Sequence, residues 1–285
     1  MQRNNGEIYR TSDLGIEHTG IPFGNFTSGN VGSYAWDRND PFRMIGTVRG
    51  GNQLISLDVR NPSATTTLYT AGSEVTIGGR QGQPNEDDQS KVILQTSSQL
   101  ILFDLTSNSV IRTLNRSGID WAGFSKTGDY YIIASSANGL QIYRTSDDAF
   151  TGGRSSPRHG DFTRANGVEY FATTGSPPTW IRLSNGATTS PGSDAIWGHY
   201  SGLGHDDTVV FSADLAGNVG GVGEIDVLDP PENIRRIGTQ PTHISGGFSD
   251  TQHRITRSWS GEYMLVTIAN PTNVANDYLV TKVCP

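Results

Sequence analysis

The side chains of this sequence that are best suited to chemistry are its histidines, of which there are only six. Two of them, His243 and His253, stand at the two ends of one polar loop, and a third, His159, opens an earlier strand. A fourth, His199, is followed directly by Tyr200. Neutral imidazoles are ligands for divalent metals, and an imidazole also acts as a general base near neutral pH. These residues predict a site only where the fold brings them to one place.

The elements that would position these histidines recur along the chain with a period of about 40 residues, which indicates a repeat architecture. The clearest copies are Ile119–Arg144 and His253–Asn270. Each has a short strand, a polar glycine turn and a strongly apolar strand, and Ile119–Arg144 adds a third strand that ends in a charged residue. A more polar fourth strand follows in other units, as in TTTLYT and SVIRTL. Four antiparallel strands per unit, repeated radially, are typical of a β-propeller.

The repeats predict an all-β chain that forms a single β-propeller domain over residues 1–285, with six four-stranded blades. The last unit contains only three strands, and the N-terminal segment Gly6–Ser12 resembles the missing fourth. We therefore expect ring closure by this N-terminal strand, which removes an exposed sheet edge. Seven blades remain the alternative if residues 13–32 form a partial blade. The predicted blades are Ser33–Thr70, Glu74–Leu114, Ile119–Gly153, His159–Ser190, Ala195–Thr239 and a last one from His253 onwards.

Charge and composition exclude several classes of function. The net charge is −7 and no cluster of Lys or Arg stands out, so we expect no nucleic-acid partner. No apolar run approaches the roughly 20 residues that a membrane span requires. The polar N-terminus carries no visible signal peptide, so the chain is either cytosolic or a mature form without its leader. The one cysteine, Cys284, is interpreted as a small strand residue or as half of an intermolecular bridge.

An acidic run, Glu86-Asp87-Asp88, lies between two predicted strands of the second blade. We expect a hairpin that exposes these carboxylates to solvent, with calcium binding as the alternative.

Several segments resemble known bacterial propellers. FSKTGDYYIIAS and WSGEYMLVTIA resemble the F-S-P-D-G repeat of propellers such as the Tol-system periplasmic module. YAWDRNDPFRMIGTV and RHGDFTRANGVEYFAT resemble blades of oligogalacturonate- and ulvan-lyase-type propellers. The resemblance implies an extracellular or periplasmic protein and an acidic polysaccharide or a protein as partner. Those lyases generally have seven blades and longer chains, so the resemblance is closer for the fold than for the activity.

Propeller topology predicts where the histidines lie. The first strand of each blade lines the central channel, and connections between blades open on one face of the ring. This places His159, His199, His243 and His253 at the channel mouth, where they could share a divalent metal such as Zn, Mn or Ca, with Asp161 or Asp120 orienting them. In the alternative interpretation, these polar groups satisfy backbone atoms of the channel and bind water.

Two functions from different classes follow, and whether the protein is an enzyme stays open. The first is a binding or structural module with a carbohydrate or metal site at the channel mouth, which we favour. The second is a uronate lyase, which needs a base and a cation that stabilises a developing carboxylate charge. In that reaction His199 or His159 would be the base, Tyr200 the proton donor, and Arg254 or Arg257 the carboxylate clamp.

Overall fold

The computed structural model contains only strands, turns and connections in the part of the chain that it describes. For residues 8–18, 197–199 and from 210 onwards the description is limited to the backbone. None of the described residues belongs to a helix long and apolar enough to cross a membrane. The described residues are 8–9, 16–18, 34–48, 50–78, 83–156, 160–173, 179–190, 197–202, 206–215, 219–226, 234–239, 254–257, 263–269 and 275–281.

Five four-stranded sheets and one three-stranded sheet follow one another along the described chain, each with its strands in sequence order. We call these sheets blades 1 to 6. Blade 1 comprises β3 (Tyr34–Trp36), β4 (Arg43–Thr47), β5 (Gln53–Asp58) and β6 (Thr65–Thr70). Blade 2 comprises β7 (Thr76–Ile77), β8 (Lys91–Gln95), β9 (Gln99–Asp104) and β10 (Ser109–Asn115), and blade 3 comprises β11 (Trp121–Phe124), β12 (Tyr130–Ser135), β13 (Gly139–Arg144) and β14 (Phe150–Arg154).

The later blades repeat this order. Blade 4 comprises β15 (Gly160–Ala165), β16 (Val168–Thr173), β17 (Thr179–Arg182) and β18 (Thr188–Thr189). Blade 5 comprises β19 (Trp197–Ser201), β20 (Thr208–Leu215), β21 (Val219–Asp226) and β22 (Ile234–Thr239), and blade 6 has β23 (Arg254–Arg257), β24 (Tyr263–Ala269) and β25 (Ala275–Thr281). The blades predicted from the sequence repeats are confirmed, with boundaries that agree to within a few residues.

The middle strands of each blade carry the core because both of their faces are covered. In β8 and β12 the apolar residues are buried almost without interruption, whereas the outer strands β6 and β10 are mostly exposed. The continuous apolar runs of the sequence predict that Ile132, Ile133, Val209, Phe211, Leu265 and Ile268 are buried. This is confirmed for Ile132, Ile133 and Val209, whereas the other three side chains lie outside the part that the structure describes. Concentrating apolar residues in the middle strands allows a chain with only 34% hydrophobic residues to bury apolar clusters in its blades.

Three outer strands contain a one-residue bulge. The register of β6 against β5 skips Leu68, that of β10 against β9 skips Ile111, and that of β22 against β21 skips Ile237. A bulge increases local twist and interrupts the row of backbone groups that another strand would pair with. The bulges therefore protect outer strands that would otherwise be open edges.

The chain divides into two compact units. The first comprises residues 1–141 with 145–148, and the second comprises 142–144 with 149–285. Blades 1 and 2 belong to the first unit, blades 4, 5 and 6 belong to the second, and the boundary falls within blade 3. A single domain over residues 1–285 stays a prediction.

The N-terminal strand differs from the predicted arrangement. We expected residues 7–11 to pair with the strand near residues 278–283, but β1 (Ile8–Tyr9) instead pairs with β2 (Ile16–His18) in a separate two-stranded sheet. A hairpin between neighbouring segments closes a much shorter loop than pairing with the far end of the chain, so it costs less chain entropy. Repeat counting could not reveal this local partner.

Candidate functional site

The structure places the predicted proton donor, Tyr200, in an apolar core. Tyr200 lies on β19, is 7% exposed, and packs edge-on against Trp180 with ring centroids 5.5 Å apart. Burial raises the pKa of Tyr200 well above its ordinary value, so the phenol stays protonated at neutral pH. Its neighbour His199 occupies the position of β19 that pairs with Ser212 of β20. A catalytic role for either residue stays a prediction.

The predicted carboxylate clamps, Arg254 and Arg257, lie at the two ends of β23 and pair with Thr267 and Met264 of β24. Positions three apart on a strand fall on opposite faces of the sheet. Only one of these two arginine positions can therefore lie on the face of β23 that borders a given site.

The convergence of the histidines also stays a prediction. His159, His243 and His253 lie outside the described residues. Within the described ranges, no group of three or more His, Cys, Asp or Glu side chains is placed to hold a metal ion.

The carboxylates proposed as partners of the histidines have structural hydrogen bonds. Asp161 accepts a hydrogen bond from the amide of Phe162 at 2.8 Å and another from the amide of Gly202 at 3.0 Å, and thereby links blades 4 and 5. Asp120 is exposed and accepts a hydrogen bond from the hydroxyl of Ser136 at 3.0 Å. Both carboxylates organise strand ends, whatever further role they have.

The polar residues that the structure does bring together lie elsewhere, in the turns between the first and second strands of the blades. In blade 2 this turn contains a segment of residues 83–90, which we call the strap. At its centre is Asn85, which is fully buried. The Asn85 amide group donates to Asp88 at 2.6 Å and to the backbone oxygen of Lys126 at 3.3 Å, and its side-chain oxygen accepts from the amide of Lys91 at 2.8 Å. All hydrogen-bonding groups of the Asn85 side chain are thus engaged.

One end of the strap is bonded to blade 1. The Gln89 side chain accepts from the amide of Arg38 at 2.5 Å and donates to the carbonyl of Trp36 at 2.8 Å. The Arg38 guanidinium donates in return to the carbonyl oxygens of Glu86 and Asp87, at 3.1 and 3.3 Å. These contacts fix the first turn of blade 1, residues 37–42, against blade 2.

The strap is also bonded to blade 3. The amide of Asp87 donates to the carbonyl of Lys126 at 2.9 Å, and the Lys126 ammonium group lies 3.1 Å from the Glu86 carboxylate. The Lys126 side chain is only 2% exposed, so this is a buried ion pair. The expectation of a solvated acidic hairpin is therefore correct for Asp87 and Asp88, which are exposed, but not for Glu86.

The second unit uses the same device between blades 4 and 5. Arg164, at the end of β15, lies 2.9 Å from the carboxylate of Asp206 in the first turn of blade 5. The amide of Asp207 donates to the carbonyl of Arg164 at 2.6 Å, and the Asp207 carboxylate accepts from the amide of Asn166 at 3.0 Å. The first turns of neighbouring blades are thus joined directly. The sequence signal was the wealth of Asn and Asp in these turns, since such side chains bond nearby backbone groups.

An exposed aromatic residue lies in the first turn of blade 1. Phe42 is 39% exposed, and the Arg60 guanidinium carbon lies 4.1 Å from the centre of its ring. Arg60 is held by several hydrogen bonds to the carboxylate of Asp58, and the amide of Phe42 donates to Asp40 at 3.0 Å. The Arg60 guanidinium and the backbone at Phe42 are therefore held in place before any ligand arrives. Exposed aromatic and arginine side chains are the types that most often dominate protein interfaces.

Comparison with known proteins defines the fold and leaves the family open. No family model matches the chain, and no curated protein matches it either. Among solved structures, 1338 chains match, which shows how widely this architecture is used. These matches show that the chain has a β-propeller fold.

Three of the similar structures illustrate the likeness to β-propellers. The β-propeller domain of Cps50 (Swd1) from Myceliophteria thermophila has a TM-score of 0.57 at 10% identity, covering 90% of this chain and 84% of that one. The C-terminal WD40 domain of Sif2 has a TM-score of 0.58 at 14% identity, covering 98% and 76%. A chain of the mitotic checkpoint complex has a TM-score of 0.60 at 11% identity, covering 96% and 81%. At such low identity the likeness establishes the fold alone.

Proposed function

We propose that this β-propeller is a protein-binding module whose partner docks on the first-turn end of blade 1, around Phe42 and Arg60. The exposed Phe42 ring beneath a fixed guanidinium is the observation that carries this proposal. One of the similar chains belongs to a multiprotein assembly, the mitotic checkpoint complex, which is the kind of use proposed here.

Preorganisation favours this surface over other exposed apolar positions. The strap and Asp58 hold the turn and the guanidinium in place, so binding would not have to order them. By contrast, Ile111 is equally exposed, at 39%, but lies at the bulge of an outer strand. The two residues therefore form a matched pair for testing.

The experiment compares Phe42→Ala and Arg60→Ala with Ile111→Ala as control. Proteins retained by the immobilised wild-type chain from an extract of its own organism are identified and purified, and their affinity for each variant is measured by calorimetry. We expect the Phe42 and Arg60 variants to bind roughly 30-fold more weakly, or about 2 kcal/mol, as for a central interface residue. Unchanged affinity for Phe42→Ala, or an equal loss for Ile111→Ala, would contradict the proposal.

A second proposal keeps the site at the channel mouth, where a carbohydrate or a divalent metal would bind. It is supported by the fact that His199 and the two arginines, Arg254 and Arg257, lie on first strands of their sheets, as the proposal requires. In its enzymatic form the protein would be an extracellular or periplasmic uronate lyase, with His199 or His159 as base and Tyr200 as proton donor.

This second proposal has its own experiment. Metal content would be measured in the purified protein, and melting would be compared with and without a chelator. Uronate polymers would then be incubated with the protein and Zn, Mn or Ca, and unsaturated sugar ends would be followed by ultraviolet absorbance. A metal-free protein that melts identically with chelator and forms no unsaturated ends would refute both forms of the proposal.

A further inference from the structure

We infer that the strap, residues 83–90, is a conformational coupler that transmits a change at the first turn of blade 3 to the first turn of blade 1. The two turns belong to blades that are separated by blade 2, and the strap is bonded to both. The inference goes beyond the proposed function and does not depend on it, because it concerns the unliganded chain.

The contacts with blade 1 are of a kind that orders backbone. The side-chain amide of Gln89 donates to the carbonyl of Trp36 and accepts from the backbone amide of Arg38, as the backbone of a neighbouring strand would. These two residues flank the start of the turn that ends at Phe42. When Gln89 moves away, the turn loses both of these bonds at once.

Three contacts with blade 3 converge on Lys126. The Lys126 carbonyl accepts from the Asp87 amide and from the Asn85 side chain, and the buried Lys126 ammonium pairs with Glu86. Removing one partner of a buried ion pair leaves an uncompensated charge, which is costly and favours movement towards water. Loss of the Lys126 charge therefore favours release of Glu86 from its docked position.

The middle of the strap makes the two ends interdependent. The backbone N–H of Gln89 donates to the backbone carbonyl of Asn85 at 3.1 Å. Gln89, whose side chain bonds blade 1, is therefore bonded directly to Asn85, whose side chain bonds blade 3. Gln89 has a φ of 52°, a left-handed conformation that a non-glycine residue keeps only when its surroundings enforce it. Because releasing one end removes part of that enforcement, we expect the strap to dock or release as a unit.

Hydrogen exchange of the full chain tests the inference. Lys126→Met keeps an apolar stem of similar length and removes the charge, and Asn85→Ala removes the central side chain. The control is Asp104→Ala, which removes the two hydrogen bonds from the amides of Thr106 and Ser107, in the turn that follows β9 of the same blade. We expect both test variants to speed exchange in residues 36–42 at least tenfold, which corresponds to about 1.4 kcal/mol of local stability. The control should leave those amides unchanged.

The result that overturns the inference is equally specific. If Lys126→Met speeds exchange at residues 83–91 and 125–129 but leaves residues 36–42 at the wild-type rate, the strap is not a coupler. Should Lys126→Met expose the whole chain to exchange, Glu86→Gln replaces it, because that change removes the ion pair while preserving size. For Glu86→Gln, faster exchange at residues 36–42 supports the coupling, and exchange there at the wild-type rate refutes it. Since no partner is present, the result is independent of whether Phe42 binds one.

Discussion

Replacing Gly78 with alanine should weaken the contact between the first strands of blades 2 and 3. Gly78 has a φ of 49°, and a Cβ added there would lie 2.1 Å from the carbonyl oxygen of Ala122. The left-handed backbone alone costs a non-glycine residue about 1–2 kcal/mol. Overpacking against a neighbouring backbone adds about 1–3 kcal/mol, so the total should be about 2–5 kcal/mol.

Gly118→Ala is the matched control, because Gly118 has a φ of 67° but nothing within 4 Å of the added Cβ. It should therefore show only the backbone cost of about 1–2 kcal/mol. Urea unfolding followed by tryptophan fluorescence gives both changes, provided the slopes match. If Gly78→Ala and Gly118→Ala lower stability equally, the close approach of the two first strands does not contribute, and this part of the reasoning is refuted.

Two further predictions concern stability. Ile132→Ala should lower the free energy of unfolding by about 2–5 kcal/mol because Ile132 is fully buried, whereas the exposed control Ile111→Ala should change it by no more than about 0.5 kcal/mol. Urea unfolding of both variants measures these changes. Equal losses of stability would contradict the assigned burial. Hydrogen bonds from the amides of Ser107 and Thr106 hold the pKa of Asp104 below its ordinary value. The ionised carboxylate therefore stabilises the fold at pH values above the unfolded-state pKa of about 3.9. This contribution is lost as the pH falls through the lower pKa that Asp104 has in the folded state. The difference in melting temperature between wild type and Asp104→Ala should therefore be largest near pH 7 and shrink below about pH 4, and a difference that is constant over this range would contradict the assignment.

Much of the fold was predictable from local pattern. Strands such as KVILQ and YYIIAS are continuous apolar runs bounded by polar turns, and their repetition indicated a propeller with its blades at nearly the observed boundaries. Less of the candidate site was predictable. The position of Tyr200 on a first strand was correct, but neither its burial against Trp180 nor the raised pKa of its phenol could be read from the segment GHYSG.

The sequence by itself determined which segments become strands and how they repeat. Apolar runs separated by polar turns are local features, and each can be recognised within a few residues of the chain. Only the tertiary structure decided what the polar turns do. Asn85 and Lys126 are 41 residues apart, and nothing in either segment indicates that one would bond the other. Their contact exists because stacking places the first turns of adjacent blades side by side, where a buried amide or ammonium group must find a partner. The same stacking turned Glu86, expected in solvent, into the partner of a buried lysine.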